Sequence, residues 1–165
     1  MELTDLKKLL SEMSLEEKVG QMVQIPGNML TEGGLITGPT DSIEMTKDNA
    51  SLIGSVLSKV GARDLREIQE KFMAEHPHHI PLLFMYDVIN GLETIYPIPL
   101  AQGCTFSEEL VEQAARAAAK EAAAAGLHVT FSPMLDLVRD ARWGRVMEST
   151  GEDSWLNARL GKAMV

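Results

Sequence analysis

The chain has a single cysteine, Cys104, in 165 residues. No internal disulfide can form, and nothing points to an oxidising compartment. Positive charge is in short supply, with 15 Lys and Arg against 24 Asp and Glu and a net charge of −9. Such a balance speaks against a nucleic-acid partner, which needs a clustered basic surface, and against anionic membrane surfaces. No uninterrupted apolar run approaches membrane-spanning length. The N-terminal stretch MELTDLKKLLSEMSLEEK alternates acids and lysines with leucine. It reads as an amphipathic helix, not as a basic-then-apolar secretory signal, and a cytoplasmic location is the expectation. Repeats and low-complexity tracts are also missing. The closest approach is the alanine-rich run 114–125, interrupted by Arg116, Lys120 and Glu121.

What is present is enough for one domain, which at this size buries roughly 70% of its unfolded surface. Ser14 and Glu17 have capping-box spacing, and Leu15, Val19 and Met22 then share one helical face. Residues 26–41 are rich in Gly, Pro and Thr and read as a loop. LIGSVLSKV (52–60) has the β-branched character of a strand and ends near Gly61. Leu65, Ile68 and Phe72 predict a helix over 62–75. IPLLFMY (80–86) is a continuous apolar run, as expected of a strand buried on both faces. Ser107 can cap a helix with Glu108 and Glu109 in its first turn and Gly126 beyond its end. LHVTFSPML (127–135) is a third strand candidate. Asp153 can cap a last helix running to Val165.

The order is strand–helix repeated three times behind a helical lead (1–50, then 51–165), read as one partial domain. It predicts parallel strands joined by right-handed crossovers. Both an open doubly wound sheet and part of a (β/α)8 barrel fit, and both place ligands at the C-terminal ends of strands. Asp87 and Asp136 fall at such ends. A closed barrel takes about 250 residues, so only an incomplete one is accommodated. Leu156, Leu160 and Met164 remain in phase to the last residue without a cap, and the chain is expected to be a fragment.

Several segments narrow the choice. Tyr86-Asp87-Val88-Ile89-Asn90-Gly91 closes a strand, and Pro97-Ile98-Pro99-Leu100 follows. The alanine-rich helix leads to a strand running into Asp136. Then come Arg139-Asp140-Ala141-Arg142-Trp143-Gly144-Arg145, Glu148 and Gly151-Glu152-Asp153. In this order they resemble the N-terminal catalytic domain of family-three glycoside hydrolases, which include many β-glucosidases and β-xylosidases. The Thr37-Gly38-Pro39 loop and Ile53-Gly54-Ser55-Val56 are similar as well.

The resemblance implies a (β/α)8 TIM-type barrel, of which this chain carries about three strand–helix units. It also implies retaining hydrolysis of a terminal β-linked glucosyl or related residue, with no cofactor and no metal. Asp87 matches the aspartate that accepts hydrogen bonds from the sugar in the −1 subsite; a carboxylate offers two acceptor oxygens to adjacent hydroxyls. Arg145 matches the arginine contacting the same sugar through its fork of donors. Asn90, Arg142, Trp143 and Glu148 are possible supporting residues, and Glu148, Glu152 and Asp136 are expected to orient arginines and cap helices. Asn90 stands where the family usually has His, and it cannot be protonated. A retaining glycosidase needs two catalytic groups, usually carboxyls about 5–5.5 Å apart. The family's Ser-Asp-Trp nucleophile, its Lys-His sugar-binding pair and its acid/base have no counterpart here, so the isolated chain is expected to be inactive.

Plainer readings compete. Asp87 could cap a turn at a strand end. The arginine-rich stretch could be a solvated ion-pair network. His76, His78 and His79 lack a cysteine companion, and Pro77 interrupts their helix, so they read as a solvated connection and not a metal site. Met29, Met45, Met73, Met85, Met134 and Met147 read as core or loop filler. A non-catalytic half-barrel that binds sugar or self-associates through its open edge is the alternative function. A small phosphate-binding doubly wound protein is disfavoured, because no glycine-rich phosphate loop follows a strand.

Overall fold

The structure, a computed structural model, describes residues 2–29 and 50–165. The Thr37-Gly38-Pro39 loop, most of the 26–41 segment and Met45 therefore lie outside the described residues. The elements are α1 (Leu3–Glu12), α2 (Leu15–Gly20), β1 (Gln24–Pro26), β2 (Ser55–Leu57), α3 (Ala62–Glu75) and β3 (Leu83–Tyr86). They continue with α4 (Pro99–Gly103), α5 (Glu108–Ala124), β4 (Val129–Thr130) and α6 (Ser154–Met164). Short 3-10 turns occupy Gly27–Met29 and Val146–Glu148.

The strands form one sheet in the order β1-β2-β3-β4. β1 pairs parallel with β2, and β2 with β3. This is the expected α/β architecture with a parallel, unclosed sheet: among the described residues β4 has no return pairing to β1. The strands are shorter than their apolar runs. Residues 80–86 supply β3 only from Leu83, and 127–135 supply only Val129–Thr130. β3 is also not covered on both faces. Leu82 and Phe84 are buried, but Leu83 is 47% exposed, so the run has one covered side.

The chain divides into two compact units, Met1–Tyr86 with Gly126–Val129, and Asp87–Ala125 with Thr130–Val165. In the first, Ile25, Ile53, Val56, Leu65, Phe72, Leu82, Phe84 and Leu127 are buried. Gly54 lies so close to Gln21 that a Cβ would collide with its carbonyl. Phe84 and His128 exchange two bonds. The Phe84 N–H donates to His128 Nδ1 (3.0 Å), and the His128 N–H donates to the Phe84 carbonyl (2.9 Å), with the rings stacked 5.7 Å apart.

The amphipathic lead is two helices. Chain direction changes at Met13 and Ser14, and the capping box forms there: the Ser14 hydroxyl accepts from the Glu17 N–H (3.2 Å), and Glu17 accepts from the Ser14 N–H (2.6 Å). β1 falls where the sequence pattern suggested the end of a helix and the start of a loop. A three-residue strand ending in proline carries too little periodicity to stand out.

The histidine-rich connection after α3 differs from the solvated reading. His76 is only 1% exposed. Its Nδ1 lies within hydrogen-bonding distance of the N–H groups of His78 (3.1 Å) and Ile80 (3.4 Å), and its Nε2 faces the Gln21 side-chain amide at 3.3 Å. His78 meets the Glu17 carboxylate at 3.2 Å. Pro77 ends the helix, and the ring of His76 accepts from backbone N–H groups of the turn that follows, which have no helical carbonyl to bond. No cluster of His, Cys, Asp or Glu suited to a metal occurs among the described residues. Nor is any described helix long and apolar enough to cross a membrane.

In the second unit α5 lies against α6, with Val111, Ala118, Ala122 and Leu160 buried. The Ser107 hydroxyl accepts from the Leu110 N–H, and the Asp153 carboxylate accepts from the Leu156 N–H, as the capping pattern predicted. Alanine keeps α5 slim enough for close approach while giving the strongest helix propensity.

Candidate functional site

All six sequence-predicted site residues lie in the second unit. Asp87 directly follows β3 and is exposed. Among the described residues its carboxylate makes no hydrogen bond or salt bridge. Its backbone, by contrast, is tightly located. The N–H of the next residue, Val88, donates to the Thr130 hydroxyl (3.3 Å), and the Val88 carbonyl accepts from the Ser132 hydroxyl (2.7 Å). The two hydroxyls also bond to each other at 2.9 Å. Val88 is buried, so its main-chain polar groups need these partners. An open carboxylate on a fixed backbone is an acceptor presented to solvent.

The segment after Asp87 forms a small closed loop. The Tyr96 N–H donates to the Asn90 carbonyl (2.8 Å), the Asn90 side-chain amide donates to the Tyr96 carbonyl (3.0 Å), and Gly91 bridges Ile95. Gly91 has φ +111°, and a Cβ there would run into the Thr94 carbonyl, so the turn requires glycine. Asn90 therefore spends its side-chain donor on holding the loop.

Arg145 begins the 3-10 turn Val146–Glu148. Its Nε lies 3.1 Å from both Glu148 carboxylate oxygens, and a terminal guanidinium nitrogen donates to one of them at 2.7 Å. The Arg145 pKa is raised, chiefly by the hydrogen bonds it donates to Glu148, with smaller electrostatic contributions from Glu148, Asp87 and Asp136. Asp87 and Asp136 thus act on Arg145 electrostatically without bonding to it. The same contact holds the Glu148 carboxyl below its ordinary range. Arg142 is engaged in the same manner by Asp140, at 3.0 and 3.1 Å from its Nε, which lowers the Asp140 pKa. Its guanidinium is directed outward and largely exposed. Trp143 is half-buried, and its N–H donates to the Asp140 carbonyl. Glu152 has no ion pair among the described residues; capping of α6 falls to Asp153.

Residues 139–148 form a loop closed at its neck. The Ser149 hydroxyl donates to the Asp136 carbonyl (2.6 Å), the Val138 N–H donates to the Gly151 carbonyl (3.1 Å), and the Gly151 N–H donates to Ser149 (3.3 Å). Ser149 is fully buried. The arginine-rich stretch is thus a surface loop on a rigid neck, in which the ion pairs fix the arginines' directions.

Sequence reasoning missed Thr130, Ser132, Ser149 and Glu121. A Thr-x-Ser pair just beyond a strand is a usable signal for the first two, because hydroxyls there can take the orphan backbone groups of a neighbouring strand end. Glu121 accepts from the Glu93 and Thr94 N–H groups and the Thr94 hydroxyl. It is 27 residues distant from Thr94, and no local pattern announces it.

Residues 14–165 match the model of the glycosyl hydrolase family 3 N terminal domain. The chain is 38% identical to a periplasmic beta-glucosidase of Salmonella typhimurium over 158 residues, which is 95% of this chain and 20% of that protein. It superimposes on the crystal structure of a beta-glucosidase from Listeria innocua in complex with isofagomine, with a TM-score of 0.94 and 50% identity. That match takes in 100% of this chain and 22% of the enzyme. A mutant of the same enzyme in complex with laminaribiose matches with a TM-score of 0.91 and 49% identity, over 100% of this chain and 23% of the other. The chain thus spans about a fifth of the length of these relatives.

Proposed function

The chain belongs to glycosyl hydrolase family 3, and we propose that it supplies the sugar-holding half of a retaining β-glucosidase-like active site. The substrate is a molecule with a terminal β-linked glucosyl or related residue. The observation that supports this best is the contrast between Asp87 and its surroundings. In this unit the carboxylates of Asp140, Glu148 and Glu121 are engaged by hydrogen bonds, whereas that of Asp87, like that of Asp136, has no partner among the described residues and stands beside a pinned backbone. Asp87 would accept from adjacent sugar hydroxyls through its two oxygens, and Arg145, kept charged and aimed by Glu148, would donate to the same ring. The complexes of the Listeria innocua enzyme with isofagomine and laminaribiose support a β-glucosyl ligand.

The sequence contains no Ser-Asp-Trp nucleophile motif and the chain spans about a fifth of its relatives' length, so nucleophile and acid/base are assigned to further parts of the complete gene product. Asp87→Ala in that product is expected to lower kcat/KM for an aryl β-glucoside by about a hundredfold or more, since charged hydrogen bonds to sugar hydroxyls are lost. Unchanged kinetics would remove Asp87 from the sugar site. The purified 165-residue chain alone is expected to show negligible turnover, and clear hydrolysis by it would refute the division of labour.

Exposed Phe131 and Leu135 favour a covering partner for the second unit. Such a cover is the remainder of a barrel in the glycosidase reading and a second copy in the self-association reading. Sedimentation of the purified chain separates them.

A further inference from the structure

The loop that follows Asp87 is fastened twice. At its base, Asn90 and Tyr96 exchange a backbone and a side-chain bond. At its tip it meets α5, where Glu121 uses both carboxylate oxygens. One accepts from the N–H groups of Glu93 (3.1 Å) and Thr94 (3.0 Å), and the other accepts from the Thr94 hydroxyl (2.8 Å). Three donors from two consecutive residues converge on one half-buried carboxylate, filling three of its roughly four acceptor sites. These contacts, the Thr94 amide foremost and its hydroxyl next, hold the Glu121 carboxyl below its ordinary range. It is therefore ionised when it holds the loop.

Other sites are less informative. A small cavity beside α5 is lined by alanines together with Asn90, Gln102, Thr130 and Ser132, but the hydrogen bonds of these polar side chains are already taken up within the protein. The cluster of Glu17, His76 and His78 ties α2 to the turn after α3 and is structural. The Glu121 contact differs in that the loop it grips begins three residues after Asp87 and carries Asn90.

We infer that Glu121 is a positioning residue for the sugar site. Through Thr94 it fixes the 90–96 loop, and through Asn90 that loop fixes the chain leaving Asp87. The inference rests on the glycosidase reading of Asp87. It also accounts for Asn90, whose side-chain donor is committed to Tyr96. Asn90 thus serves the site by holding the loop shut, and Glu121 is the charge on the scaffold that completes the closure.

The test uses the complete gene product with Glu121→Ala, Glu121→Gln and Thr94→Val. KM and kcat are measured for an aryl β-glucoside, and amide hydrogen exchange is followed at residues 93 and 94. Glu121→Ala is expected to raise KM about tenfold, the loss that follows from removing a charge-assisted hydrogen bond, with a smaller change in kcat. Glu121→Gln keeps one acceptor oxygen and should fall between it and the parent. Thr94→Val removes only the hydroxyl bond and should move KM in the same direction by less. If Glu121→Ala does not fold, the two milder variants decide. Faster exchange at 93 and 94 should accompany every rise in KM. Unchanged KM in all three, with or without faster exchange, overturns the positioning role. A parent protein that hydrolyses nothing overturns the glycosidase reading, and the inference for sugar falls with it. An active parent with unmoved variants overturns the inference alone.

Discussion

Arg145 and Glu148 face each other across a single 3-10 turn, with the Arg145 Nε 3.1 Å from both carboxylate oxygens. The pair is not buried, so its contribution to folding is small. What it does is select one direction for a long, otherwise mobile side chain. Glu148→Ala is therefore expected to leave the melting temperature within a degree or two while raising KM for an aryl β-glucoside by about three- to tenfold in the complete gene product. Arg145→Lys should be as damaging, because an ammonium cannot reproduce the fork. A loss of stability without a change in KM would mean that the pair serves only the loop.

The neck of that loop makes a different prediction. Ser149 is fully buried, and its hydroxyl both donates to Asp136 and accepts from Gly151. Ser149→Ala removes the partner of the Asp136 carbonyl and of the Gly151 N–H in part-buried surroundings, which costs about 0.5–1.5 kcal/mol. Chemical denaturation should show a lower midpoint with an unaltered slope. A change below about 0.5 kcal/mol would mean that water replaces the hydroxyl.

Acid should weaken the first unit through His76. Burial is the main cause that lowers its pKa, followed by the neighbouring His78, with Glu17 opposing and His79 adding slightly. The ring must be neutral to accept the N–H groups of His78 and Ile80, since an imidazolium has no acceptor. A folded-state value below the unfolded one means that the unfolded chain binds the proton first. The stability contribution is then complete above about pH 6.5 and is lost as pH falls through the lower folded value. Glu17, held low first by the Ser14 amide and then by His78, loses its contribution at lower pH, beneath about 4.5. Urea midpoints measured from about pH 7.5 to pH 5 should decline in the parent and flatten in His76→Gln, which keeps an acceptor without a titrating ring. Parallel declines in both proteins would assign the acid sensitivity elsewhere.

Local chemistry was legible wherever a signal fits within a few residues. Ser14, Ser107 and Asp153 cap the helices their positions announced, and the Leu65–Phe72 spacing marks a helix that the structure gives as Ala62–Glu75. The family resemblance rested on short motifs that include Asp87 and Arg145, whose residue types suit the proposed sugar site. Strand length was not legible, because apolar runs such as 127–135 exceed the portion that finds a hydrogen-bonded neighbour. Burial of His76 was hidden because its composition reads as polar, while its neighbours come from α2 and the turn beyond Pro77. Glu121 shows the same limit most clearly. Nothing within helix α5 distinguishes it from a solvated acid until the 90–96 loop is folded against it.

The neck formed by Asp136, Val138, Ser149 and Gly151 also separates two demands on the chain. The outward decade of residues between its two sides hangs from polar bonds that involve none of its own side chains. Amino acids in that span can change over evolutionary time, or in a designed library, without reshaping the scaffold beneath. The residues from Arg139 to Arg145 that carry the family resemblance thus owe their identity to what the loop meets, and not to any duty toward the scaffold.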